Sequence, residues 1–168
     1  MKRFSKILVA VLALCLLVGA LALAISANTR VEGNFVVQGT GYEKWEDAVA
    51  AADNTHTIYI NENWELEEVI TISGATTNVK VNLNGKTVSV KDGSMLFNVY
   101  SNAKLTIEGE GTINDAGAIA IGASKSGVVT VNATGKGIVI NHKAAENDTD
   151  YICAFRIHDR AALNVSGF

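Results

Sequence analysis

From Thr57 onward, apolar and polar residues alternate in short runs separated by turns of Gly, Asn, Asp and Ser. The runs recur. Ile58-Tyr59-Ile60, Val81-Asn82-Leu83, Leu105-Thr106-Ile107, Val129-Thr130-Val131 and Leu163-Asn164-Val165 each read apolar, polar, apolar, at successive offsets of 23, 24, 24 and 34 residues. Alternation with period two is the pattern of a strand with one side buried. A fixed offset near 24 predicts that each strand stacks on its equivalent one repeat later.

A second strand recurs at Val88, Ile113 and Ile138, and a looser third at Ile70/Ile72, Met95 to Val99, Ile119/Ile121 and Ile152 to Ile157. About three strands per repeat, stacked in parallel over a shared apolar column, predict an all-β parallel β-helix of four to five coils. Glycines at 85, 109, 111, 135 and 137 are expected at its corners. An antiparallel sandwich does not require a constant offset, and a propeller blade needs about 40 residues.

One segment departs from this rhythm. Trp45, Ala48, Val49 and Ala52 fall at i, i+3, i+4 and i+7, with Glu46 and Asp47 in the first turn, which predicts a short amphipathic helix. A first coil leaves open strand edges, so the helix is expected to cap the Ile58/Ile60 layer. The entry segment 28–42 contains Phe35-Val36-Val37, an expected strand. The capping helix and coils are assigned to 43–168, with the chain ending inside a coil. An open last coil implies a truncated fragment or end-to-end self-association.

The first thirty residues have another character. Lys2, Arg3 and Lys6 precede an unbroken apolar-or-glycine run from Ile7 to Ile25, and then Ser26-Ala27. That order predicts a signal peptide over 1–27, with Ala24 as the other cleavage point. An uncleaved membrane anchor is the competing reading, since the run is long enough to span a bilayer. Either way the protein is expected outside the cell or on its surface. The segment 1–27 holds three of fourteen basic residues and none of seventeen acids, so the remainder carries eleven against seventeen, a net charge of −6. An acidic chain without basic clusters argues against nucleic acid and anionic lipid as partners. Cys15 lies in the signal, and Cys153, left alone, is expected to be a buried thiol.

Four stretches carry a family resemblance: Trp45 to Ala52, Thr57-Ile58-Tyr59-Ile60, Val69-Ile70-Thr71-Ile72, and Val79 to Val90 with Leu83-Asn84-Gly85-Lys86-Thr87. Together they resemble the opening of pectin-lyase-like right-handed parallel β-helix proteins, in particular bacterial surface members. The resemblance covers about residues 42 to 168. It implies the right-handed fold and leaves activity open, because that superfamily includes lyases, glycoside hydrolases, adhesins and passive modules.

Candidate chemistry is sparse. Gly109-Glu110-Gly111-Thr112-Ile113-Asn114 resembles a turn of polygalacturonase-like enzymes that carries no catalytic group. Glu108 and Glu110 share one turn with no acid expected opposite, whereas glycosidases need two facing carboxyls. No catalytic residue is therefore assigned. The 34-residue offset marks an insertion near 142–150, and solenoid insertions often form the binding face. His142, Glu146, Asp148, Asp150 and His158 are the candidate binding residues there. The alternating acids admit calcium in principle, but the loop lacks the glycine and spacing of a calcium loop, and a solvated acidic loop is the expectation. A zinc site at His142 and His158 lacks two further ligands. Arg156 and Asp159 are linked only by sequence proximity as a lyase-like pair. Trp64 and Tyr100 are expected in capping or packing ahead of sugar stacking. The three Asn-x-Ser/Thr sequons read as turn asparagines. The expected function is a secreted or surface β-helix module, non-catalytic, in adhesion or contact with a polysaccharide or surface glycan. The alternative is the N-terminal part of a polysaccharide lyase or hydrolase whose active coils lie beyond Phe168.

Overall fold

The computed structural model describes residues 31–90, 95–115, 119–142 and 153–167. The chain divides into two units, Met1–Val31 and Glu32–Phe168. The expected signal, 1–27, lies outside the described residues. Among the described residues no helix is long and apolar enough to cross a membrane.

The Glu32–Phe168 unit is mostly β, with parallel ladders and one short helix. It opens with an antiparallel hairpin of β1 (Phe35–Val37) and β2 (Thr40–Tyr42), turning at Gln38 and Gly39, both with positive φ. Helix α1 (Trp45–Ala52) follows, over the residues that the i, i+3, i+4, i+7 pattern marks. Ala48 and Ala52 are buried, and Trp45 and Val49 pack half-buried against the core. Asp53, in the left-handed region, ends the helix.

Three parallel ladders follow. The first runs through β3 (Thr57–Ile60), β6 (Asn78–Asn82), β9 (Lys104–Asp115), β11 (Val128–His142) and β13 (Ala162–Ser166). The second joins β4 (Trp64–Leu66), β7 (Thr87–Val90) and the later halves of β9 and β11. The third joins β5 (Ile70–Ser73), β8 (Phe97–Tyr100), β10 (Ile119–Ala123) and β12 (Cys153–Ile157). Each repeat visits the ladders in the same order. Inward residues such as Ile58, Val81, Leu105, Ile107 and Val129 are at most 5% exposed, and their burial supplies most of the stabilisation, about 1.5–3 kcal/mol per side chain.

The register departs from the sequence offsets in two places. Val81 lies opposite Ile107, not Leu105, and Ile113 lies opposite Ile140, not Ile138. Both differences are two residues, so the same faces stay inward, because strand alternation has period two. The second has a visible cause. Ala133 pairs with Gly109 and Ile138 with Gly111, so β11 carries three extra residues in a bulge. The Glu110 carboxylate accepts a hydrogen bond from the Lys136 amide there, at 2.8 Å.

Glycine makes only some of the corners. Asn84-Gly85 is a two-residue turn with positive φ at both positions, closed by the Lys86 amide donating to the Leu83 carbonyl at 2.8 Å. The opposite corner recurs without relying on glycine. Thr55, Ala103, Gly127 and Ala161 donate backbone bonds to Ala52, Tyr100, Ser124 and His158 across Asp53-Asn54, Ser101-Asn102, Lys125-Ser126 and Asp159-Arg160. All eight of those central residues have positive φ.

The first edge is closed differently from expectation. The backbone of β3 is covered by β1, which pairs with it antiparallel, Phe35 opposite Ile60. The helix contributes apolar packing, not strand pairing. At the other end burial falls: Phe155, Ile157 and Leu163 are half-buried, and Val139 and Val165 are 50% and 44% exposed. Cys153, expected in the core, is a free thiol of intermediate exposure on β12.

Candidate functional site

The candidate site grows out of the N-terminal cap. Phe35 arrives on β1 and is 1% exposed. Its ring meets Trp64 edge-on, centroids 4.7 Å apart, and Trp45 edge-on at 5.7 Å. This wedge holds the two indoles against each other in a stacked pair, with Phe97 tilted beneath Trp45 at 6.2 Å. Trp45 is the first residue of α1, and Trp64 the first of β4. The alanines at 48 and 52 have almost no side chain to keep the helix away, which allows this close approach.

Both indoles remain half-buried and line a groove of about 630 Å³ between α1 and the β4–β5 corner. Glu46, Glu65, Glu67 and Glu68 also line it, with Val49, Leu66, Val69 and Ile70 as apolar neighbours. Among the described residues that line it there is no Lys, Arg or His. Its volume and its two lining indoles are those of a small-ligand site, and four carboxylates are among its described lining residues.

Glu146, Asp148 and Asp150 lie outside the described residues. His142 ends β11 in register with Asp115. His158 is exposed and its Nδ1 lies 3.1 Å from the Asp159 carboxylate, at a corner. Asp159 pairs with His158, and Arg156 stands exposed on β12 opposite Gly122. Among the described residues no group of three His, Cys, Asp or Glu is placed to hold a metal.

The remaining sequence candidates have structural partners. Glu108 accepts a hydrogen bond from the Thr57 hydroxyl at 3.3 Å, and Glu110 holds the β11 bulge. A second groove, about 580 Å³, lies over the stacked corners and is lined by Asn102, Lys125, Ser126, Asp159 and Arg160. It has mixed charge and no aromatic surface.

The sequence pattern puts Trp64 in capping or packing ahead of sugar stacking and Trp45 on a helix face, without joining the two. A signal was available. Glu62-Asn63-Trp64-Glu65-Leu66-Glu67-Glu68 is the densest acidic run in the chain, and it carries one of only two tryptophans. Compared with protein-family models, characterised proteins and solved structures, the chain matches none.

Proposed function

We propose that this chain forms a capped right-handed parallel β-helix of the pectin-lyase-like type, acting outside the cell as a non-catalytic carbohydrate-contact module. The observation that carries the reading is the groove lined by Trp45 and Trp64. The half-buried indoles offer apolar surface to the C–H faces of sugar rings, and the surrounding carboxylates accept hydrogen bonds from sugar hydroxyls. The three ladders visited in constant order support the coiled fold, and parallel crossovers are right-handed in about 98% of cases. The basic-then-apolar leader supports export.

The test is a panel of neutral, acidic and amino polysaccharides. Saturable changes in tryptophan fluorescence with no release of reducing or unsaturated sugar products support the reading. Product release, or no response to any saccharide, overturns it.

A further inference from the structure

We infer that Asn84 is a latent modification site: its side-chain amide converts spontaneously to a carboxylate once the first and second repeats part, and the product keeps them from closing again. Asn84-Gly85 is the only Asn-Gly pair in the chain, and both residues are exposed. The reaction needs no enzyme and only water as co-reactant. The Gly85 backbone nitrogen attacks the Asn84 side-chain carbon Cγ. The Cγ–Nδ2 bond breaks, and the amide nitrogen leaves as ammonia with the proton of the attacking nitrogen. Water then opens the cyclic imide to an aspartyl or an isoaspartyl residue. Glycine favours the attack because no Cβ crowds its nitrogen.

The fold holds the two reacting groups apart. β6 lies between β3 and β9, and the turn that follows it is bonded to both neighbours. The Asn84 side-chain Nδ2 donates to the Ile60 carbonyl of the preceding repeat at 3.1 Å. The Gly85 amide donates to the Glu110 carbonyl of the following repeat at 2.8 Å. Leaving group and nucleophile are therefore anchored to opposite neighbours. The turn itself is fixed in its left-handed conformation, with φ of 51° and 73°. The Asn82 side-chain oxygen accepts from the Asn84 amide at 2.8 Å, and the Lys86 amide closes onto the Leu83 carbonyl. Attack requires both bonds between repeats to open together, so the reaction proceeds from a locally open state. Two such bonds slow it by about thirtyfold.

The conversion runs one way. A carboxylate accepts hydrogen bonds and donates none. An aspartate at 84 would set an oxygen against the Ile60 carbonyl oxygen where a donor stood. An isoaspartate adds a methylene to the backbone of a two-residue turn. Either product weakens the joint between the first two repeats. Trp64 lies four positions beyond Ile60, so tryptophan emission reports on that joint.

The test incubates the full chain in mildly alkaline buffer, folded and in concentrated guanidinium chloride. Peptides spanning Asn84 are followed by mass spectrometry and chromatography, which separate asparagine from both products. The inference expects ready conversion in the unfolded chain and conversion slower by at least about thirtyfold in the folded one. The folded rate should rise and fall with hydrogen exchange of the Gly85 amide as denaturant is added below the unfolding midpoint. No conversion in the unfolded chain, or equal rates in the two states, overturns the inference. Folded conversion that proceeds while the Gly85 amide stays protected overturns the opening step. Asn84→Asp imitates the product and is expected to lower the urea midpoint and shift tryptophan emission to the red. An unchanged midpoint and emission would overturn the claim that the product keeps the repeats apart. A variant that does not fold is that same loss at its extreme, and the two conversion rates test the site without it.

Discussion

Trp45 and Trp64, nineteen positions apart, lie with ring centroids 5.4 Å apart and planes only 22° from parallel. The geometry depends on Phe35, which meets both rings edge-on and is itself buried. One hydrophobic wedge therefore joins the antiparallel hairpin, the helix and the first coil. Offset-stacked and edge-to-face pairs add about 0.5–1.5 kcal/mol each beyond burial.

Phe35→Ala should therefore do more than remove buried area. It should lower stability by about 3–5 kcal/mol in urea unfolding and shift tryptophan emission to the red, because both indoles lose their common support. Phe35→Leu should keep most of the stability and still loosen the stack. Unchanged emission in Phe35→Ala would show that the rings hold each other without the wedge.

The corners give a prediction of opposite sign. Lys125 and Ser126 have φ of 46° and 63°, in a region that disfavours side chains other than Asn, Asp or none. Asn-Gly is the preferred pair for two consecutive positive φ values. Lys125→Asn with Ser126→Gly should stabilise the protein by about 1 kcal/mol, the relief of strain exceeding the added freedom of glycine in the unfolded chain. Chemical denaturation midpoints measure it, and a lowered midpoint would contradict the account.

Much of this architecture is legible in the sequence because burial writes itself as alternation. The stacking of Ile58 on Val81, of Leu105 on Val129 and of Val129 on Leu163 follows directly from the spacing of the apolar runs. The two-residue differences at Val81 and Ile113 do not, because alternation with period two is blind to a slip of two. The capping hairpin was only half visible: Phe35-Val36-Val37 reads as a strand, but nothing local says that it pairs antiparallel with β3. The corners at Ser101-Asn102, Lys125-Ser126 and Asp159-Arg160 carry no glycine to mark them, since tertiary stacking holds ordinary residues there. The groove escaped for a related reason. Its members come from a helix face and a strand separated by a turn, and neither half announces the other.

Side-chain amides stitch successive repeats together, and their contributions can be separated. The Asn54 side-chain oxygen accepts from the Asn78 amide at 2.9 Å, and the Asn63 side-chain oxygen accepts from the Thr87 amide at 2.9 Å, each 24 residues on. Asn63→Ala should lose about 1 kcal/mol, the net value of one such bond. Asn54→Ala should lose about 2 kcal/mol, because Asn54 also has a φ of 58° that alanine tolerates poorly. Asn54→Asp keeps the acceptor and the tolerance of that conformation, and should lie closer to the parent. Equal losses for the two alanine variants in urea unfolding would remove the conformational term.

Two glycines with positive φ test whether contact or conformation dominates at the bent strands. A methyl group on Gly111 would stand 2.7 Å from the Leu83 Cβ and 2.7 Å from the Lys86 carbonyl oxygen. That oxygen is fixed by the Thr112 amide, which donates to it at 3.0 Å, so it cannot retreat without breaking the ladder between successive repeats. Around Gly137, φ is 87° and nothing lies within 4 Å of the added carbon. Gly137→Ala therefore carries only the backbone penalty, about 1 kcal/mol. Gly111→Ala adds overpacking against backbone and should lose about 3 kcal/mol or more. Paired urea titrations give the order directly. If Gly137→Ala proved the more destabilising, the close approach of β9 to the Leu83–Lys86 turn would not be what requires glycine at 111.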